Sequence, residues 1–110
     1  MTKLAQLAIE PQPAPQYGNG EIVANDLIDW TIEEQDPEIA EAIYARKQVG
    51  VDRYGQTLQT NDGRNTLADL VQELLDAMIY AHKGVMESQP KTAAWHIYSD
   101  ARYNLNRVLA

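Results

Sequence analysis

The chain has no cysteine and no phenylalanine. The first absence excludes disulfides, thiolate metal sites and cysteine nucleophiles, and it fits a reducing compartment. The second leaves Leu, Ile, Ala, Tyr and two Trp to fill the interior. Positive charge is scarce as well: 9 Lys and Arg stand against 16 Asp and Glu, for a formal net charge of −7. A basic patch of the kind that holds nucleic acid is therefore not expected. No run approaches the roughly 18 apolar residues of a membrane span, and the opening MTKLAQLAIEPQP lacks a convincing cleavage site. The expectation is a cytoplasmic protein with neither nucleic acid nor membrane as partner. Nothing resembles a serine–histidine arrangement or a Gly-rich phosphate loop, so triad and P-loop chemistry drop out.

What is present is enough for one small domain of 110 residues, of a size that often completes its core against a copy of itself. Residues 1 to 20 hold a short apolar stretch, Leu4 to Ile9, then Pro11, Pro13, Pro15, Gly18 and Gly20. They predict an extended or flexible arm ahead of a helical domain over 21–110. Residues 21–35, EIVANDLIDWTIEEQ, read equally as a short helix or a packed loop. Asp36-Pro37 marks a helix start, with Asp as cap and Pro at the first helical position. That helix is expected to run to about Val49, closed by Gly50 and Gly55, and QTLQTNDGRN to form a loop. Asn65 or Thr66 caps a second helix that continues to His82 or Lys83, with Gly84 as terminator. ESQPK interrupts the chain again, and TAAWHIYSDARYNLNRVLA reads as a third helix. No segment alternates as a strand. The fold class is all-α, a helical hairpin plus a third helix.

The second helix separates its residues by kind. At about 100° per residue, with Asp69 as origin, Glu73 falls near 40°, Asp76 near 340°, Tyr80 near 20° and Lys83 near 320°. Leu67, Leu70, Val71, Leu74, Leu75, Met78 and Ile79 take the other side. On the first helix Glu38 and Glu41 share a face, with Glu33 and Glu34 just upstream. Much of this is ordinary. Acids favour a helix's first turn, which accounts for Glu38 and Glu41, and Thr66-x-x-Asp69 is close to a capping box. Glu73 and Asp76 are different: they sit in mid-helix with no base four positions later. Carboxylates at i and i+3 point the same way and suit a hard divalent cation that keeps waters and phosphates in its shell.

The run RKQVGVDRYGQTLQTNDGRNTLADLVQELLDAMIY resembles the small phage-borne branch of the MazG-like, all-α nucleoside triphosphate pyrophosphohydrolases. The likeness rests on Arg46, Tyr54-Gly55, Leu58, the loop Asn61-Asp62-Gly63-Arg64-Asn65, and the series Asp69, Gln72, Glu73, Asp76 and Tyr80. It covers about residues 38 to 83. The resemblance implies an enzyme dependent on Mg2+ or Mn2+ that cleaves a nucleoside triphosphate to the monophosphate and pyrophosphate. It implies that Glu73 and Asp76 form the second half of an E-E-x-x-E and E-x-x-D metal set. The first half departs from that pattern, leaving Glu38 and Glu41, ahead of Glu34, as its ligands, with Asp69 as a further candidate. Glu38 or Glu41 would also take the proton of the attacking water. Arg64 and Lys83, then Arg46, Lys47 and Arg53, are the candidates for phosphates, with Asn61, Asn65 and Tyr80 near sugar or base. For each the plain alternative stands: Arg64 braces its loop, Asn65 caps its helix, and lone Lys and Arg are solvated. Trp30, Trp95 and Tyr98 are base-stacking candidates whose default is core packing. His82 and His96 have no assigned role. Purine deoxynucleotides such as dGTP or dATP are the implied substrates, as in phages that carry 2-aminoadenine. A homodimer or homotetramer in the cytoplasm, the host's if the chain is viral, is the implied assembly. The competing reading is a non-catalytic acidic helical interaction protein of a phage.

Overall fold

The computed structural model describes residues 1–16, 20–56, 58–87 and 91–109. Gly18 and most of the expected break at ESQPK (residues 88–90) lie outside the described residues. Within them the regular structure is helical: α1 (Lys3–Ile9), α2 (Val23–Glu33), α3 (Pro37–Tyr54), α4 (Thr66–Met86) and α5 (Lys91–Arg107). A lone antiparallel bridge joins Ile22 and Gln59. The all-α expectation holds. No helix among the described residues is long and apolar enough to cross a membrane.

The chain divides into two compact units, Met1–Gln12 with Asn65–Ala110, and Pro13–Arg64. In the first unit α4 packs against both α1 and α5. Its core is Leu7, Ala68, Val71 and Leu105, ringed by Leu4, Leu67, Leu74, Leu75, Met78 and Val108. Val71 is fully buried, worth about 1.5–3 kcal/mol for such a side chain. Ala81, Ala94 and Ala101 are buried too; their small side chains suit closely packed helices. Leu70 and Ile79, expected on the buried side of α4, are exposed, because an apolar stripe wider than the neighbouring helices leaves its margins in water.

The expectation of an extended arm fails at its beginning. Lys3–Ile9 is helical, with Thr2 Oγ1 accepting from the Ala5 amide at 3.1 Å. Seven residues do not hold a helix alone; the burial of Leu7 and two bonds from α4 do. Gln72 Nε2 donates to the carbonyls of Leu7 and Glu10, each at 3.1 Å, adding a second bond at Leu7 to the 3.4 Å one from the Glu10 amide. Residues 10–16 are irregular, as three prolines dictate.

In the second unit α2 and α3 pack as a hairpin. The turn between them is a Schellman closure: the Gln35 amide reaches Ile32 O at 3.0 Å and the Asp36 amide reaches Thr31 O at 2.9 Å. Pro37 opens α3 as expected, but the Asp36 side chain makes no capping bond. Its ψ of 68° falls short of the extended conformation that carries a cap side chain over the next turn. α3 also passes straight through Gly50 and stops at Gly55, whose φ of 75° is a left-handed cap. α4 likewise runs through Gly84 to Met86. A glycine inside a helix costs about 1 kcal/mol, which neighbouring turns absorb; a glycine in the left-handed region ends the helix.

Candidate functional site

Asn65 fixes the start of α4. Its Oδ1 accepts from the amides of Leu67 at 3.1 Å and Ala68 at 3.3 Å, as an N-cap should. With the cap at Asn65, the position a capping box uses is Ala68, so Asp69 lies one residue past it. From that origin α4 carries Asp69, Glu73, Asp76, Tyr80 and Lys83 along one side. Glu73 and Asp76 are exposed, and neither makes an ion pair or hydrogen bond among the described residues. Tyr80 is exposed. Lys83 pairs with Glu87 at 2.9 Å in an exposed i,i+4 contact, worth about 0.3–0.5 kcal/mol and easily exchanged for a stronger anion.

The other acids belong to the second unit. Glu38 and Glu41 stand exposed in the first turns of α3, and Glu34 is the C-cap residue that follows α2. Arg46 is exposed. Arg53 lies over the Tyr54 ring at 5.9 Å, and Lys47 donates to Asn25 Oδ1 at 2.7 Å, holding α3 to α2. α3 and α4 thus each present carboxylates in separate units. Among the described residues no group of three or more His, Asp or Glu gathers closely enough to enclose a metal ion.

The loop before α4 is built as a brace. Asp62 is buried, accepts from the Arg64 amide at 3.1 Å, and offers its carbonyl to the Gln16 amide at 2.7 Å. Arg64 Nη1 donates to Pro13 O at 3.1 Å. Asn61 (φ 56°) and Gly63 (φ 82°) supply the left-handed turns. The Asn65 backbone forms a two-way pair with the Gln12 side-chain amide, at 2.7 and 3.0 Å, and its Nδ2 reaches Glu10 at 2.9 Å. Arg64 and Asn65 therefore have structural employment, whatever else they touch. The signal for this brace is Asp62-Gly63 itself, since an Asp in a turn folds its side chain onto the backbone two residues on. Gln72 appeared in the sequence motif without a role; its double bond to α1 supplies one.

No family model matches the chain, and neither does any curated protein or solved structure. The case for a site therefore rests on the residues themselves.

The aromatic side chains depart from the expected core packing. Trp30 and Trp95 are 58% and 61% exposed. Tyr98 is half-buried, its ring stacked on Trp95 with centroids 5.7 Å apart. A core dominated by alanine has no room for indoles. His82 and His96 are both exposed.

Proposed function

We propose that the chain is a nucleoside triphosphate pyrophosphohydrolase dependent on Mg2+ or Mn2+, releasing a monophosphate and pyrophosphate from purine deoxynucleotides such as dGTP or dATP. One observation carries the reading: Glu73 and Asp76 stand at i and i+3 on the open side of α4 with no protein partner among the described residues. Their oxygens suit magnesium, which is commonly held by one or two carboxylates while waters and substrate phosphates complete its shell. The sequence resemblance adds the choice of reaction.

In this reading Glu73 and Asp76 hold the metal; the first-helix ligands that the resemblance implies are Glu38 and Glu41, ahead of Glu34, with Asp69 a further candidate. The bound cation supplies charge neutralisation at the phosphates and a more acidic water. Glu38 or Glu41 accepts the proton of the water that attacks the α-phosphorus. Lys83 leaves Glu87 to meet a phosphate, and Arg46, Arg53 and Arg64 add positive charge. Asn61 and Tyr80 border the sugar or base. The working form is a dimer or tetramer in the cytoplasm, the host's if the chain is viral.

Pyrophosphate release from each dNTP and NTP, with either metal, tests the reading. Metal-dependent release that Glu73→Gln abolishes is the expected result. Glu38→Gln or Glu41→Gln, whichever removes the base, should cost about 10²–10⁴-fold in rate. Release of inorganic phosphate alone would move the scissile bond away from the α-phosphorus.

The alternative, a non-catalytic acidic interaction protein, draws on the exposed tryptophans and on the absence of a gathered metal group among the described residues. It predicts no metal-dependent turnover and tolerance of Glu73→Gln.

A further inference from the structure

α1 is fastened to α4 at few points. Leu7 is its one buried side chain, while Met1 just ahead of it and Ile9 at its end are 81% and 67% exposed. Pro11, Pro13 and Pro15 prevent so short a helix from lengthening to gain more hold. The rest of the fastening is polar. Gln72 Nε2 bonds the Leu7 and Glu10 carbonyls from α4, and the Gln12 side chain pairs both ways with the Asn65 backbone. Glu10 Oε2 accepts from Asn65 Nδ2 at 2.9 Å. The three bonds to Asn65 are exposed, so water competes for each of them and their net worth is small. All of these residues belong to one compact unit.

Three of the bonds converge on a residue with a second task. Asn65 Oδ1 caps α4 by accepting from the Leu67 and Ala68 amides. Nδ2 of the same planar group is held by Glu10, so the rotation that aims the cap is fixed from the other end of the unit. The Asn65 carbonyl is shared as well. It takes Gln12 Nε2 at 2.7 Å and the Asp69 amide, the first backbone bond of α4, at 3.1 Å.

We propose that residues 1–12 are a detachable strap, which opens as one piece while α4 and α5 stay folded and whose docking orders the first turn of α4 through Asn65. Opening withdraws Leu7 from the cluster it forms with Ala68, Val71 and Leu105, and it frees Gln72 and the Asn65 side chain. Glu10 and Gln12 are positioning residues for the cap, and Gln72 is the latch. Whatever touches the first twelve residues is thereby coupled to the start of α4, because a ligand of either strap position shifts the balance between them. Moving parts of proteins are drawn from such weakly held pieces. The device stands apart from the phosphate chemistry, since Glu10, Gln12 and Gln72 are not among the residues assigned to it.

Amide hydrogen exchange on the full chain, followed residue by residue at several low urea concentrations, is the test. The α1 amides and those of Leu67 and Ala68 are expected to share one protection. Their urea slope should be well below that of the α5 amides, because releasing a strap exposes less surface than unfolding the whole chain. Ala101→Gly should speed exchange in α5 by roughly fivefold or more and leave α1 unchanged, since the strap opens without α5. Gln72→Ala should speed exchange in α1 and at Leu67 and Ala68 by roughly tenfold, for the loss of two hydrogen bonds. One common slope for α1 and α5, or α1 amides that follow Ala101→Gly, would mean that the strap parts only when everything unfolds, and would overturn the proposal. Leu67 and Ala68 amides indifferent to Gln72→Ala would overturn the relay through Asn65. The urea slopes are read on the unmodified chain, so that arm is free of any folding defect in a variant.

Discussion

A left-handed glutamine ends α2. Gln35 has φ 61° in the position where a Schellman closure normally places glycine, and a side chain there costs about 1–2 kcal/mol. Gln35→Gly should recover about 0.5–1 kcal/mol of stability, the gain being trimmed by the freer unfolded chain, as urea denaturation would measure. Asn65 works in the other direction. It caps α4 through two amides and also binds Glu10, so Asn65→Ala should cost about 1–2 kcal/mol and lower the melting temperature followed by circular dichroism. Gly20 is needed for closeness: a Cβ there would overlap the Thr60 carbonyl. Two hydrogen bonds join the adjacent Glu21 to Thr60, one from Thr60 N to Glu21 O and one from Glu21 N to Thr60 Oγ1, both 2.9 Å. Gly20→Ala should therefore separate the two segments and destabilise the chain by about 1–3 kcal/mol in the same denaturation assay.

At the scale of the element, two glycines in α3 make opposite predictions. Gly50 is helical with open space where a Cβ would stand, so Gly50→Ala should stabilise by about 0.5–1 kcal/mol. Gly55 has φ 75°, so Gly55→Ala should destabilise by a similar amount, and paired thermal melts would show the contrast. The same pair explains what was legible in advance. Helix starts could be read because Pro37 and Asn65 act through local geometry. Ends could not, because composition does not reveal which glycine turns left-handed. α1 escaped notice for a related reason: its helix depends on Leu7 meeting α4 and on Gln72, some sixty residues away. The acidic side of α4 was visible because it follows from helical period alone. Its relation to the α3 acids was not, since that depends on tertiary placement.

At the scale of the molecule, few large side chains are buried. The apolar core is mostly alanine, with Leu7, Val71 and Leu105 as its larger members, while Trp30, Trp95, Tyr54 and Met86 are among many left in water. Association that covers part of this surface stabilises the folded chain by mass action. The melting temperature should therefore rise with protein concentration, and a midpoint constant across a hundredfold dilution series would contradict association coupled to folding. The division into units has a consequence for the order of assembly. One unit is made from both ends of the chain, Met1–Gln12 and Asn65–Ala110, with the other inserted between them. As the chain leaves the ribosome, its first helix is synthesised long before α4, the surface on which it comes to rest. Closing so wide a loop is slow for a segment too short to hold its own shape. The hairpin of α2 and α3, whose contacts are local, is free to form in the meantime. The docking of α1 therefore waits on the synthesis of α4.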